Sequence, residues 1–160
     1  MKKYELTDET MTVDGVTYHR IRACKDFDVQ GYHVKAGDLG GYVESERNID
    51  QDGNGWISGL ALISGNARVR GDAVIGGNAR VSKSDHIIVI GPIGSRNDYT
   101  TFCRSKDNDI TVKCGCFNGN ISEFLEEVNE THGDNKYAAE YRAAAELAKI
   151  HIDLSEGETE

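Results

Sequence analysis

From Gly53 to Ser82 the chain divides without a gap into five six-residue units, GNGWIS, GLALIS, GNARVR, GDAVIG and GNARVS. Each unit opens on glycine (Gly53, Gly59, Gly65, Gly71, Gly77). The third residue is small (Gly55, Ala61, Ala67, Ala73, Ala79) and the fifth is β-branched (Ile57, Ile63, Val69, Ile75, Val81). A period of six matches neither a continuous α-helix nor a flat amphipathic strand. It matches short strands separated by turns, each unit burying its apolar face against the unit one circuit away. The branched residue suits a packed pleated surface and is expected to point inward. The alanine fills a tight corner, and Gly with Asn or Asp takes turn positions at positive φ.

The run Val69, Gly71, Asp72, Ala73, Ile75 resembles the hexapeptide repeat of left-handed parallel β-helices, in which three hexads make one triangular coil. The resemblance implies a short left-handed parallel β-helix, and with the segments around it, read below as an N-terminal β cap and a C-terminal α+β module, the fold expected is mainly β. Such a fold hosts many functions, so it implies no chemistry by itself. The segments Lys25-Asp26-Phe27, Gly37-Asp38-Leu39-Gly40-Gly41-Tyr42-Val43-Glu44-Ser45-Glu46 and Gly53-Asn54 are similar to hexapeptide-repeat proteins of phages and prophages. That group offers no established catalytic residues to carry over.

The rest of the chain falls into segments around the repeat. Residues 1–36 read as a β-hairpin cap, with Met11-Thr12-Val13, the turn Asp14-Gly15, and a second strand from Val16 to Ile21. Residues 37–94 are expected to form about three coils. Val43 and Ile49 already lie on the six-residue grid, and the step of eight from Ile49 to Ile57 predicts a two-residue insertion near Asp50–Asp52. Ile87-Ile88-Val89-Ile90 reads as an exit strand buried on both sides, with a fixed turn at the single proline, Pro92. Residues 95–153 carry two strands, Tyr99–Arg104 and Ile110–Phe117, and then two helices. The first is announced by an Asn120/Glu123 capping box and stopped by Gly133. The second spans about Lys136–Ile150, with Tyr137, Tyr141, Ala144, Ala145 and Ala148 on its apolar face. Residues 154–160 form an acidic tail.

A net charge of −9 argues against attraction to duplex nucleic acid or an anionic membrane surface. The beginning Met1-Lys2-Lys3-Tyr4-Glu5-Leu6 has no signal-peptide core, and the four cysteines make no disulfide framework. A cytoplasmic protein of a bacterial host cell is expected.

The five histidines are scattered. A carbonic anhydrase of the resembled fold needs three around one zinc, so that activity is rejected. His86 is the best general base for a transferase-like enzyme with an inter-subunit site, and a plain surface histidine is preferred. Cys103, Cys114 and Cys116 with His132 contain the donors of a zinc site but not a known ligand spacing, so core packing is preferred and neither metal nor cofactor is assigned. Gly91 to Arg96 lacks the lysine of a triphosphate loop.

A binding role draws more support. With three hexads per coil, Leu62 lies over Arg80, Trp56 over Val74 and Arg68 over His86. Trp56, Arg68 and Arg80 occupy outward positions, and aromatic and arginine side chains on a flat face make interface hot spots. They equally serve as stems that cover the walls. Ser95 and Arg96, in the turn Gly94–Asn97, offer a hydroxyl and a guanidinium to a phosphate, or simply form a turn. The sequence therefore points to a non-enzymatic binding or assembly protein, self-associating as a trimer through flat walls as many relatives do. The phage resemblance implies a counter-defence role, in which the partner is a host immune protein or a small nucleotide messenger. The alternatives are the His86 enzyme and a self-assembling structural protein.

Overall fold

The computed structural model describes residues 2–115 and 117–155. Its fold is mainly β with two C-terminal helices. Strands β1 (Tyr4–Val13) and β2 (Val16–Ala23) form the expected hairpin around Asp14-Gly15, and β1 reaches back to Tyr4. A second small hairpin, β3 (Phe27–Val29) and β4 (Tyr32–Val34), turns at Gln30-Gly31. The strand β2 then pairs antiparallel with β5 (Leu39–Val43).

The hexads supply four two-residue strands: β6 (Trp56–Ile57), β7 (Leu62–Ile63), β8 (Val74–Ile75) and β9 (Arg80–Val81). Their ladders are parallel, β5–β7–β9 and β6–β8, with an isolated bridge from Ile49 to Val69. Trp56 meets Val74 and Leu62 meets Arg80, each pair three hexads apart. Val43 meets Ile63 and Ile49 meets Val69 over a longer step, which places two extra residues between Ile49 and Trp56 as the spacing predicts. Gln51, inside that insertion, ties down the start of β1. Its Oε1 accepts from the Lys3 and Tyr4 amides at 2.7 and 3.3 Å, and its Nε2 donates to the Tyr4 carbonyl at 3.1 Å.

The inward residues behave as the period requires. Ile57, Ile63, Val69, Ile75, Val81 and the four alanines are all buried in one core. Burial of each branched side chain is worth roughly 1.5–3 kcal/mol. Gly65 shows why the first position carries no side chain: its φ is +58°, and a Cβ there would stand 2.5 Å from the Ser82 carbonyl oxygen.

Beyond the hexads, β10 (Ile87–Ile93), β11 (Asp98–Arg104), β12 (Ile110–Cys114) and β13 (Phe117–Asn120) form an antiparallel sheet in that order. Helices α1 (Ile121–His132) and α2 (Lys136–His151) pack against it. The capping box is formed: Asn120 Oδ1 accepts from the Glu123 amide at 2.8 Å, and Glu123 Oε1 accepts from the Asn120 amide at 2.9 Å. Four expectations are corrected here. Ile87–Ile90 is not buried on both sides, because β10 is an edge strand with Val89 exposed. Pro92 sits at a bulge within β10, where it withholds no ladder donor, and the turn falls at Gly94–Asn97. The single strand expected over Ile110–Phe117 stops at Cys114, and Phe117–Asn120 pairs back on it as the separate strand β13, which no alternation in its letters announces. Tyr137 lies at the exposed rim of α2, and Ala138 takes the buried position beside it.

The strand β11 belongs to both halves. Phe102 is buried among the helices, whereas Cys103 enters the core of the hexads, where burial raises its thiol pKa to about 12. Main-chain and side-chain bonds seal this joint: Arg104 Nε to the Arg80 carbonyl at 3.0 Å, the Lys106 amide to the Asn78 carbonyl at 2.8 Å, and the Val74 amide to Thr101 Oγ1 at 3.2 Å. The antiparallel sheet is thus joined directly to the hexad core at β8 and β9. No helix among the described residues is long and apolar enough to cross a membrane.

Candidate functional site

Along β5–β7–β9 the side chains alternate. Val43, Ile63 and Val81 turn into the core, and Tyr42, Leu62 and Arg80 form the outer row. The tip of the β1–β2 hairpin folds over part of that row, packing Tyr18 on Tyr42 and Leu62. Beyond the tip the row stays open and becomes the floor of a groove of about 800 Å3. One bank is the hairpin tip with Asp14, and the other is the Ser105–Asn108 loop after β11. Three cationic residues line the groove, Arg80 on the floor and Arg104 and Lys106 on the far bank, with Asp14 on the near bank; Arg104 Nε also donates to the Arg80 carbonyl. Ser64, Ser82 and Ser105 add hydroxyls along the floor and bank. Cationic residues outnumber acidic ones along this lining, on a chain whose net charge is −9.

The outward set is thereby divided. Arg80 does reach the open groove. Trp56 does not reach solvent: only 1 % of it is exposed, and Phe27 of the β3–β4 hairpin meets its ring edge-on at 5.4 Å. Its outward position in β6 is real, but a second layer of chain covers that ladder. Arg68 is exposed and pairs with Asp50 of the preceding circuit at 2.5 Å. His86 is fully buried, contrary to the expected surface histidine. Its Nδ1 accepts from the Ser82 and Lys83 amides at 3.0 and 3.2 Å, which fixes the turn after the last hexad. With none of the residue exposed, a substrate has no access to its ring, and the general-base reading loses its support.

Ser95 and Arg96 are exposed on the Gly94–Asn97 turn and line a second, smaller cavity of about 150 Å3 between that turn, β12 and the two helices. Cys114, His132 and Tyr141 share it. The cavity is built with close tolerances. A Cβ on Gly94 would stand 1.8 Å from the Tyr141 hydroxyl oxygen, and one on Gly115 would stand 2.7 Å from a terminal nitrogen of Arg96; both glycines have positive φ. Burial, then the neighbouring Cys114, raises the Tyr141 phenol pKa to about 12. The Cys114 sulfur also accepts from Thr100 Oγ1 at 3.3 Å.

No family model matches this chain, and no curated protein matches it.

The cysteines considered for zinc are not brought together. Cys103 faces the hexad core and Cys114 the helical side of the sheet, while Cys116 lies outside the described residues. Among the described residues no group of three or more His, Cys, Asp or Glu side chains is placed to hold a metal ion. Sequence reasoning missed Arg104 and Lys106 as groove residues and Cys114, His132 and Tyr141 as neighbours of Ser95. The loop that carries Lys106 reads in the sequence only as polar. The second set is spread over β12, α1 and α2, which no local spacing connects.

Proposed function

We propose that this chain is a non-enzymatic binding protein whose groove holds the phosphates of a small nucleotide. The observation that carries the reading is that Arg80, Arg104 and Lys106 line one open groove of an acidic protein. Guanidinium and ammonium groups contribute charge-assisted bonds to phosphate oxygens, and the serines of the floor extend the donor set. On this reading the hexads form a left-handed parallel β-helix of the kind the sequence resembles, and the three-hexad offset of the parallel ladders supports it. The phage resemblance supports a counter-defence setting in a bacterial cytoplasm, where a bound messenger is withheld from its receptor. Self-association as a trimer would use the side carrying Arg68, since the hairpin tip and the β3–β4 hairpin cover parts of the other two ladders.

The test is calorimetric titration of the full chain with ATP and with inorganic pyrophosphate. Saturable binding that weakens with added salt is expected, together with a loss of at least about tenfold in Arg80→Gln and in Lys106→Gln. Ligand recovered unchanged after heating supports sequestration. Binding indifferent to both substitutions, or turnover of the ligand, overturns the reading.

A further inference from the structure

Past α2 the chain runs along the rim of the cationic groove. The Asp153 amide donates to the Asp85 carbonyl at 3.0 Å, and Asp153 Oδ2 lies 3.8 Å from Nζ of Lys83, the residue after Ser82 of the groove lining. One residue on, the Leu154 carbonyl accepts from Asn108 Nδ2 at 2.8 Å, and Asn108 is itself part of the far bank. The Ser155 amide donates back to Asp153 Oδ1 at 2.9 Å, so the segment that follows starts from a fixed point beside the groove. That segment, residues 156–160 of the expected acidic tail, lies outside the described residues. It reads Glu-Gly-Glu-Thr-Glu, with a carboxylate at every second position. In an extended chain residues two apart share a side, so Glu156, Glu158 and Glu160 can line one edge together. A chain of that length reaches about 17 Å.

The groove carries the opposite charge, with Arg80, Arg104 and Lys106 set against the one carboxylate of Asp14. Among the described residues the side chains of Arg80 and Lys106 make no ion pair. We propose that residues 156–160 occupy this groove with their glutamates against Arg80 and Lys106, and that a phosphate ligand enters by displacing them. A single exposed ion pair is weak, but a short tether holds the glutamates beside their partners at an effective concentration of order millimolar or above. The tail is thus a built-in competitor, and affinity for the ligand is set by what remains after the tail has been displaced. Displacement rests on the phosphate reading of the groove; occupation by the tail does not.

The test compares the full chain with two triple variants. Glu156→Gln with Glu158→Gln and Glu160→Gln neutralises the tail, and Glu126→Gln with Glu127→Gln and Glu130→Gln removes the same charge from exposed positions of α1 that do not line the groove. Without ligand, the tail variant should shift the amide NMR signals of Ser64, Arg80, Ser82 and Lys106, and added salt should move the native signals toward the same positions. The α1 variant should leave them in place. Pyrophosphate should bind the tail variant at least about fivefold more tightly than the native chain, and the α1 variant within about twofold of it. Groove signals unmoved by the tail variant, or moved equally by both variants, overturn occupation. Equal pyrophosphate affinity in all three chains, or an equal gain in both variants, overturns displacement. If pyrophosphate binds none of the chains while the groove signals shift as expected, the phosphate reading of the groove falls and occupation by the tail stands.

Discussion

The two halves of this molecule bury apolar surface by different rules. In the hexads, residue types follow a neighbour three hexads along the chain: a branched residue beside a branched residue, buried alanine, and glycine where two turns come close. In the C-terminal half the core is made by rings, Phe102, Phe117, Phe124 and Tyr141, wedged between an antiparallel sheet and two helices. The first arrangement is repetitive, with its branched residues and alanines all buried. The second leaves a ring-sized cavity with polar groups around it. A repeat supplies a rigid wall, and irregular packing supplies a pocket.

Removal of a central ring is the largest test of that contrast. Phe124→Ala should cost about 4 kcal/mol. If the halves are separable, hydrogen exchange will accelerate across the sheet and helices while the Trp56, Ser58, Leu62 and Ser64 amides, each bonded to the next circuit, stay protected. Equal acceleration everywhere would make the molecule one cooperative unit. The next largest effect contrasts two glycines of the same repeat. Gly65→Ala should cost about 3 kcal/mol in urea unfolding, since strain at positive φ adds to collision with the Ser82 carbonyl. Gly71→Ala has positive φ but open space around the added carbon, and should cost only about 1 kcal/mol. Similar losses at both sites would show that stacking distance is not what selects glycine.

The smallest effect sets a cation in one half against a phenol in the other. Lys3 is buried, with Nζ donating to the Gly55 carbonyl at 2.8 Å, and burial lowers its pKa from 10.5 to about 8. Between those values the unfolded chain holds a proton that the folded chain has released, so this group makes stability rise with pH from about 8 to 10.5. The gain is of order 2 kcal/mol, and Lys3→Met should abolish that slope relative to the native chain. Tyr141 works in the opposite direction. Its pKa is raised from 10.0 to about 12, so its contribution is complete below pH 10 and is lost as pH climbs through about 12. Urea unfolding of both chains across pH 7.5–11 tests the pair; an unchanged slope in Lys3→Met would remove Lys3 as its source.

How much the letters convey depends on distance along the chain. The inward valines and isoleucines, the two-residue insertion and the Asn120 cap are legible because each rests on neighbours in sequence or on a fixed period. Trp56 fails for a reason of the same kind: the period states which way its side chain points, and cannot state that Phe27 arrives from a distant hairpin to cover it. His86 reads as a surface residue because the chain at the end of α2, which bonds Ser84, Asp85 and Ile87 from more than sixty residues away, leaves no mark in the local sequence. Of the two candidate sites, the sequence offers Arg80, Ser95 and Arg96 as isolated residues. Their partners, Arg104 and Lys106 in one case and Cys114, His132 and Tyr141 in the other, are joined to them only by tertiary packing.

The fixed offset in the parallel ladders also limits how such a chain can change length. A deletion or duplication of three whole hexads keeps every wall in register, and a length that breaks a hexad rotates branched residues out of the interior. The two extra residues between Ile49 and Trp56 are tolerated because they leave the wall as a bulge and Gln51 anchors them to β1. Nothing in the ladders themselves sets where they stop. That measure is taken by β11, which places Cys103 against the last circuit, so the height of the wall on which Arg80 sits is set by the strand that ends it.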